Sequence, residues 1–204
     1  MALRPADHGV VASSAGGVTD FYTYLAETTV SNSSTTTISI WPQASWDDYD
    51  DLLIVTKTGL LGDTNARNHR MWMNSATSNY NLAQNGWRVT GGNPQRWYRS
   101  SDRYAWMNET CPGTANSNSW GFGQIRVAMH KGADSDNVKP GVLMRMSARN
   151  GDSGLNYLDM HVVQWNSMSG GVSRIDIKAQ YDNVGDMNFR SGSKFTVYGL
   201  SMQG

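Results

Sequence analysis

The chain has 204 residues, enough for one domain with a real core. Hydrophobic residues make up 39% and charged residues only 17%, against a usual charged share of about 25%. Seventeen basic residues cancel seventeen acidic ones, so the overall positive field that non-specific nucleic-acid binding draws on is missing, and no apolar run approaches the ~18–20 residues of a membrane span. The polar balance is carried by 22 Ser, 17 Asn and 15 Thr. Glu27 and Glu109 are the only glutamates, and there are five Lys. Asp and Asn favour turns, whereas Glu and Lys build solvated helices, so this composition leans towards strands. Eight Trp and eleven Met oppose disorder. A single Cys excludes a disulfide scaffold and suits a reducing compartment.

In chain order, residues 1–18 lack usable periodicity and read as an extended N-terminal arm, with Arg4, Pro5, Val10 and Val11 as its candidate contact residues. Val10-Val11-Ala12 is too short for the apolar core of a secretory signal. From residue 19 to 204 the pattern is that of one β domain. Thr35 to Trp41 is β-branched and alternates until Pro42 stops it. Asp51 to Lys57 is a near-continuous apolar run, as in a strand covered on both faces. Arg67 to Asn74 sets Met71 and Met73 against Arg70 and Trp72, and Trp97 to Asn108 reads as one long extended aromatic stretch. Ile125 and Val127 alternate with Gln124 and Arg126; Ile175, Ile177 and Ala179 alternate with Arg174, Asp176 and Lys178. Gly, Asn, Asp and Ser clusters punctuate these runs. About eight or nine short strands at such spacing predict an all-β protein, a single antiparallel β-sandwich of jelly-roll-like form.

The usual chemical motifs are weak. His8, His69, His130 and His161 fall in no zinc spacing, and Cys111 stands in a turn-like context without an evident base. No catalytic residue, metal ligand or cofactor site is expected. Asp47-Asp48-Tyr49-Asp50-Asp51 lacks the EF-hand pattern and reads as an acidic loop before a strand. The richest local feature lies between Arg67 and Arg103, with six Arg and one acid, whereas residues 47–63 carry five Asp and one Lys. Arg stacks on aromatic rings and grips carboxylates in a bidentate fashion. Arg67, Arg70, Arg96, Arg99, Arg103, Trp97 and Trp106, facing Asp47, Asp48 and Asp50 of a neighbouring copy, therefore form a candidate protein interface. Two other readings stay open: a glycan platform built on the Trp residues, and Trp in the core with Arg on solvated strand faces.

Several segments together resemble a group of tailed-phage virion proteins. Asp48-Tyr49-Asp50-Asp51-Leu52-Leu53-Ile54-Val55 is similar to their "Y-x-D-L" strand. Met73-Asn74 ahead of Ser78-Asn79-Tyr80 matches a strand carrying an Asn, then Asn-Tyr. The turn Gly113 to Ser119 leads into Trp120-Gly121-Phe122-Gly123 and an alternating strand. Asn188-Phe189-Arg190-Ser191-Gly192-Ser193-Lys194-Phe195-Thr196-Val197-Tyr198-Gly199-Leu200 resembles the "F-x-x-G-S-x-x-x-L-Y-G-I" ending. The likeness runs from about residue 34 to 200 and implies a jelly-roll-like sandwich on a phage capsid or tail, with no shared catalytic residues. The expected function is a non-enzymatic capsid decoration or cement protein located in the virion. Its expected partners are the major capsid protein and copies of itself, as a homo-oligomer with a trimer favoured. The alternative is a tail-associated receptor-binding domain for host surface glycans.

Overall fold

Alternating and β-branched runs become strands wherever one parity can be buried, and that parity decides which residues meet in this protein. The computed structural model describes residues 22–32, 34–46, 49–61, 67–78, 80–88, 95–102, 105–111, 120–128, 141–150, 155–165, 172–181 and 185–200. Within them lie β1 (Thr23–Thr29), β2 (Thr37–Ile40), a single 3-10 turn (Ala44–Trp46), β3 (Asp51–Thr58), β4 (Arg67–Met73), β5 (Tyr80–Arg88), β6 (Gln95–Asp102), β7 (Ala105–Cys111), β8 (Gly121–Ala128), β9 (Gly141–Asn150), β10 (Leu155–Trp165), β11 (Ile175–Tyr181), β12 (Gly185–Met187) and β13 (Lys194–Leu200). There is no α-helix among the described residues.

Among the described residues all pairings are antiparallel, and the strands form two sheets. The larger has the order β1-β13-β3-β8-β9-β10-β5-β6, and the smaller β12-β11-β4-β7, with β2 paired to β11 beside β12. The first and last strands are thus neighbours, and β3 follows them; these long crossovers, not a simple meander, give the sandwich its jelly-roll-like character. The two inner faces share one core. Leu52, Ile54, Ile125, Val127, Val163, Phe195 and Val197 of the larger sheet meet Ile38, Ile40, Met71, Met73, Ile175 and Ile177 of the smaller, none more than 6% exposed. Each such side chain contributes about 1.5–3 kcal/mol of burial, which makes this shared layer the main stabilising element.

One corner shows how local chemistry fixes the packing. Asn74 and Ser75 both have left-handed backbones, with φ of 50° and 58°, a conformation that Asn tolerates better than most residues. The turn closes through the Ala76 N–H on the Met73 carbonyl at 2.9 Å. Asn74 Oδ1 then accepts from the backbone N–H groups of Ser173 and Arg174 at 2.8 and 3.0 Å, tying the entry to β11. Tyr80 lies buried beneath, stacked on Trp165 at 6.0 Å. Its hydroxyl accepts from the Met73 N–H at 2.9 Å and donates to the Ala76 carbonyl at 3.2 Å. Burial pushes the Tyr80 hydroxyl up to about 12. Tyr80→Phe leaves the buried Met73 donor without this acceptor, so urea unfolding is expected to show a loss of about 1–3 kcal/mol. Unchanged stability would show that the hydroxyl contributes nothing to the corner.

The sandwich is richer in strands than the pattern predicts. Trp97 to Asn108, expected as one stretch, is divided between β6 and β7, which belong to different sheets. No Gly or Pro marks the division. The run from Asp51 to Lys57 does occupy a central strand between β13 and β8. Its two sides are nevertheless unequal: Leu52, Ile54 and Thr56 are buried, while Leu53, Val55 and Lys57 are only half-buried. The expected arm, residues 1–18, lies outside the described residues.

Candidate interaction face

The half-buried parity of β3 belongs to the outer face of the larger sheet, the side turned away from the core. Register assigns its members row by row. Tyr24, Tyr198, Leu53 and Arg126 stand opposite one another across β1, β13, β3 and β8. The next row is Glu27, Thr196, Val55 and Gln124, and a third sets Lys194, Lys57 and Phe122 side by side. Tyr24 and Tyr198 meet edge to face at 6.2 Å.

Among the described side chains of this sheet, three large apolar ones are open to solvent: Tyr24 at 41%, Phe122 at 55% and Val162 at 50%. Phe122 and Val162 take the parity opposite to their buried neighbours. Ile125 and Val127 share the buried parity of β8, and His161 and Val163 that of β10. A solvated outer face normally carries polar residues at these positions.

Charge is arranged around the apolar residues. Lys194 pairs with Glu27 at 2.8 Å, and the Thr196 hydroxyl donates to the same carboxylate at 3.1 Å. Arg126 is joined to Asp51 by an ion pair, the carboxylate being the more buried partner. Beside Phe122, the Trp120 ring carries two cations: Lys57 Nζ lies 4.2 Å and the Arg190 guanidinium 3.9 Å from its centroid. Stacking of this kind holds long side chains in place and keeps their charge near the surface. The face therefore has a cationic aromatic end beside Phe122, while Tyr24 stands on the edge strand β1 and Val162 on β10.

The expected interface residues that the structure describes fall on several elements. Arg70 is buried at 4% exposure, with a guanidinium N–H donated to Gln180 Oε1 at 2.7 Å, so it is held within the smaller sheet. Arg67 on β4 pairs with Cys111, and Trp106 on β7 is the register partner of Arg70. Arg96, Trp97 and Arg99 belong to β6, at the edge of the larger sheet, opposite Asn85, Gln84 and Leu82. Asp50 is exposed, and its N–H bonds the Leu200 carbonyl at 2.9 Å. Asp47, Asp48, Arg103, Arg4, Pro5, Val10 and Val11 lie outside the described residues. Sequence reasoning passed over Tyr24, Phe122 and Val162. The signal for the latter two was present, as an apolar residue on the polar parity of an alternating strand.

The motif residues that carry the phage resemblance have architectural places. Phe189 is fully buried between His69, stacked at 6.0 Å, and Phe195, edge-on at 5.3 Å. Gly192 has φ +85°, and the Ser193 N–H closes the turn on the Arg190 carbonyl at 2.9 Å; a left-handed third residue is what a type II turn requires. Ser193 is buried, accepts from the Gly59 N–H at 3.2 Å and launches β13. Tyr49 lies against the backbone of Gly199, so the "Y-x-D-L" and "L-Y-G-I" segments touch.

Among the described residues no group of three or more His, Cys, Asp or Glu is placed to hold a metal ion. His69 and His161 are both buried, and desolvation lowers them to about 3 and about 4. No described helix is long and apolar enough to cross a membrane. The chain matches no known family model, no curated protein and no solved structure.

Proposed function

We propose that the chain is a non-enzymatic structural protein of a tailed-phage virion, a capsid decoration or cement protein. The observation that carries this reading is the outer face of the larger sheet, where Tyr24, Phe122 and Val162 stand open among paired charges. Docking that face on a capsomer or on a sister copy removes apolar area from water while Trp120, Lys57 and Arg190 supply a cationic aromatic anchor. The sandwich acts as a rigid block, because both sheets lean on one core. Residues 1–18 add a second point of attachment, and repetition over a symmetric shell turns weak single contacts into stable coverage. The order and spacing of the phage-like segments support the same reading.

Two measurements test it. Quantitative mass spectrometry of particles from the phage that encodes the chain is expected to give a copy number on the scale of the capsid lattice. Absence from the particle overturns the proposal. Phe122→Asp is expected to weaken binding to undecorated capsids about tenfold or more while leaving the melting temperature nearly unchanged, since the side chain is exposed. Full binding by this variant would remove the outer face from the docking surface.

A further inference from the structure

The two sheets do not cover each other completely. Between β1 of the larger sheet and the end of β2 in the smaller one lies a cleft of about 310 Å³, at the lower end of the range typical of small-ligand sites, about 300–1,000 Å³. Phe195 and Trp46 are buried and floor it, at 1% and 7% exposure. Glu27, Thr28, Trp41 and Gln43 line it and are exposed, so they form its rim.

Trp41 is 53% exposed, yet it is firmly placed. The Arg174 guanidinium stacks over its ring at 4.6 Å. That guanidinium is anchored in turn: Arg174 Nε meets Asp176 at 2.8 Å, and the Ser39 hydroxyl donates to the same carboxylate at 2.6 Å. The backbone of Arg174 is fixed by Asn74, through both its N–H and its carbonyl. A large aromatic surface thus stands open to solvent at the mouth of a cleft without the freedom an exposed side chain normally has. Such preorganisation lowers the ordering cost of binding.

From these features we infer that the cleft binds a neutral sugar. The exposed indole offers a flat apolar surface for the C–H face of a pyranose ring. Gln43 uses its amide N–H on the Trp41 carbonyl at 2.8 Å, and its own carbonyl is placed to accept from a sugar hydroxyl. Thr28, on β1, adds a hydroxyl-bearing residue to the lining. The charges beside the cleft are matched, Glu27 with Lys194 and Arg174 with Asp176. Among the described residues these pairs leave no net field to attract an anionic ligand, and polar groups with an aromatic plate favour an uncharged polyol. The aromatic platform considered on sequence grounds, around Trp97 and Trp106, is a different part of the chain.

The test uses the full chain and free disaccharides: lactose, maltose, cellobiose and N,N′-diacetylchitobiose, with 3′-sialyllactose as the anionic comparison. Saturation-transfer NMR and isothermal titration are expected to show binding of at least one neutral disaccharide in preference to sialyllactose. Trp41→Ala is expected to weaken that binding about tenfold or more, the worth of one aromatic stacking contact, and Trp41→Phe to recover part of it. Gln43→Ala, an exposed change, gives a smaller loss and remains informative even if the Trp41 variants melt early. Phe122→Ser, on the far side of the larger sheet, leaves sugar binding intact. The inference is overturned if no neutral disaccharide binds, if sialyllactose is preferred, or if folded Trp41→Ala binds as well as the parent. None of these outcomes bears on the capsid-docking face, which is tested separately by Phe122→Asp.

Discussion

Gly199→Ala is expected to destabilise the protein by about 3 kcal/mol, the upper part of the range for overpacking. The sign is the informative part. Within a strand, exchanging Gly for Ala normally helps, because the unfolded chain loses freedom and the strand gains a side chain. Here a Cβ on Gly199 would come within 2.4–2.6 Å of three ring carbons of Tyr49. Those atoms are the body of the ring, not the end of a flexible chain, so relief requires the whole side chain to leave. Tyr49 is partly buried against the core and lies just ahead of β3, whose neighbour is β13. Moving it loosens the place where Asp50 bonds the Leu200 carbonyl. Urea unfolding of Gly199→Ala, Tyr49→Ala and the double variant forms a cycle that isolates the contact. The double variant is expected to be about 1–2 kcal/mol more stable than the sum of the single losses predicts. Additive losses would mean that Gly199 is required for some other reason.

The same contact shows what could be read from the sequence and what could not. The class of fold was legible, because Ile125 with Val127 and Ile175 with Ile177 alternate against polar neighbours, and burial follows that parity. The Ser191-Gly192-Ser193 turn was legible too, since its residue types match the backbone they adopt. Gly199 could be flagged as a close approach, but its partner could not. Tyr49 lies 150 residues earlier in the chain, and contact across that distance depends on β3 pairing with β13. Sheet membership was the larger gap. The Arg-aromatic stretch looked continuous, yet β6 joins the larger sheet and β7 the smaller, so it is not one strand. Arg70 illustrates the consequence, because a charged residue on the polar parity proves to be buried beside Gln180.

The two surfaces proposed for this protein differ in what they ask of the fold. The outer face of the larger sheet needs only a flat, rigid backing, which the shared core provides. The Trp41 cleft needs accurate placement, and a chain of contacts from Asn74 through Arg174 and Asp176 supplies it. Asn74→Ala would remove the side-chain acceptor of the Arg174 N–H while keeping the backbone bond to the Arg174 carbonyl, and so links a turn in the smaller sheet to the mouth of the cleft.

Acid is expected to weaken the protein well before its carboxylates titrate. His69 on β4 and His161 on β10 are both fully buried. Desolvation lowers His69 to about 3 and His161 to about 4, against an ordinary value of 6.5. The native state therefore keeps both imidazoles neutral where the unfolded chain has already taken up two protons. Stability is complete above about pH 6.5, falls as the pH drops below it, and goes on falling until the folded values are reached. At pH 5 the unfolded chain lies about 1.5 units below its histidine value, which corresponds to about 2 kcal/mol per residue and about 4 kcal/mol for the pair. That is a large part of the 5–15 kcal/mol typical of a whole domain. Urea midpoints at pH 7 and pH 5 measure the loss directly, and few Asp or Glu groups with ordinary values titrate in that window. In His69→Gln/His161→Gln the baseline stability is lower, but the difference between the two pH values is expected to shrink to less than half. An undiminished difference in the double variant would place the acid sensitivity elsewhere in the chain.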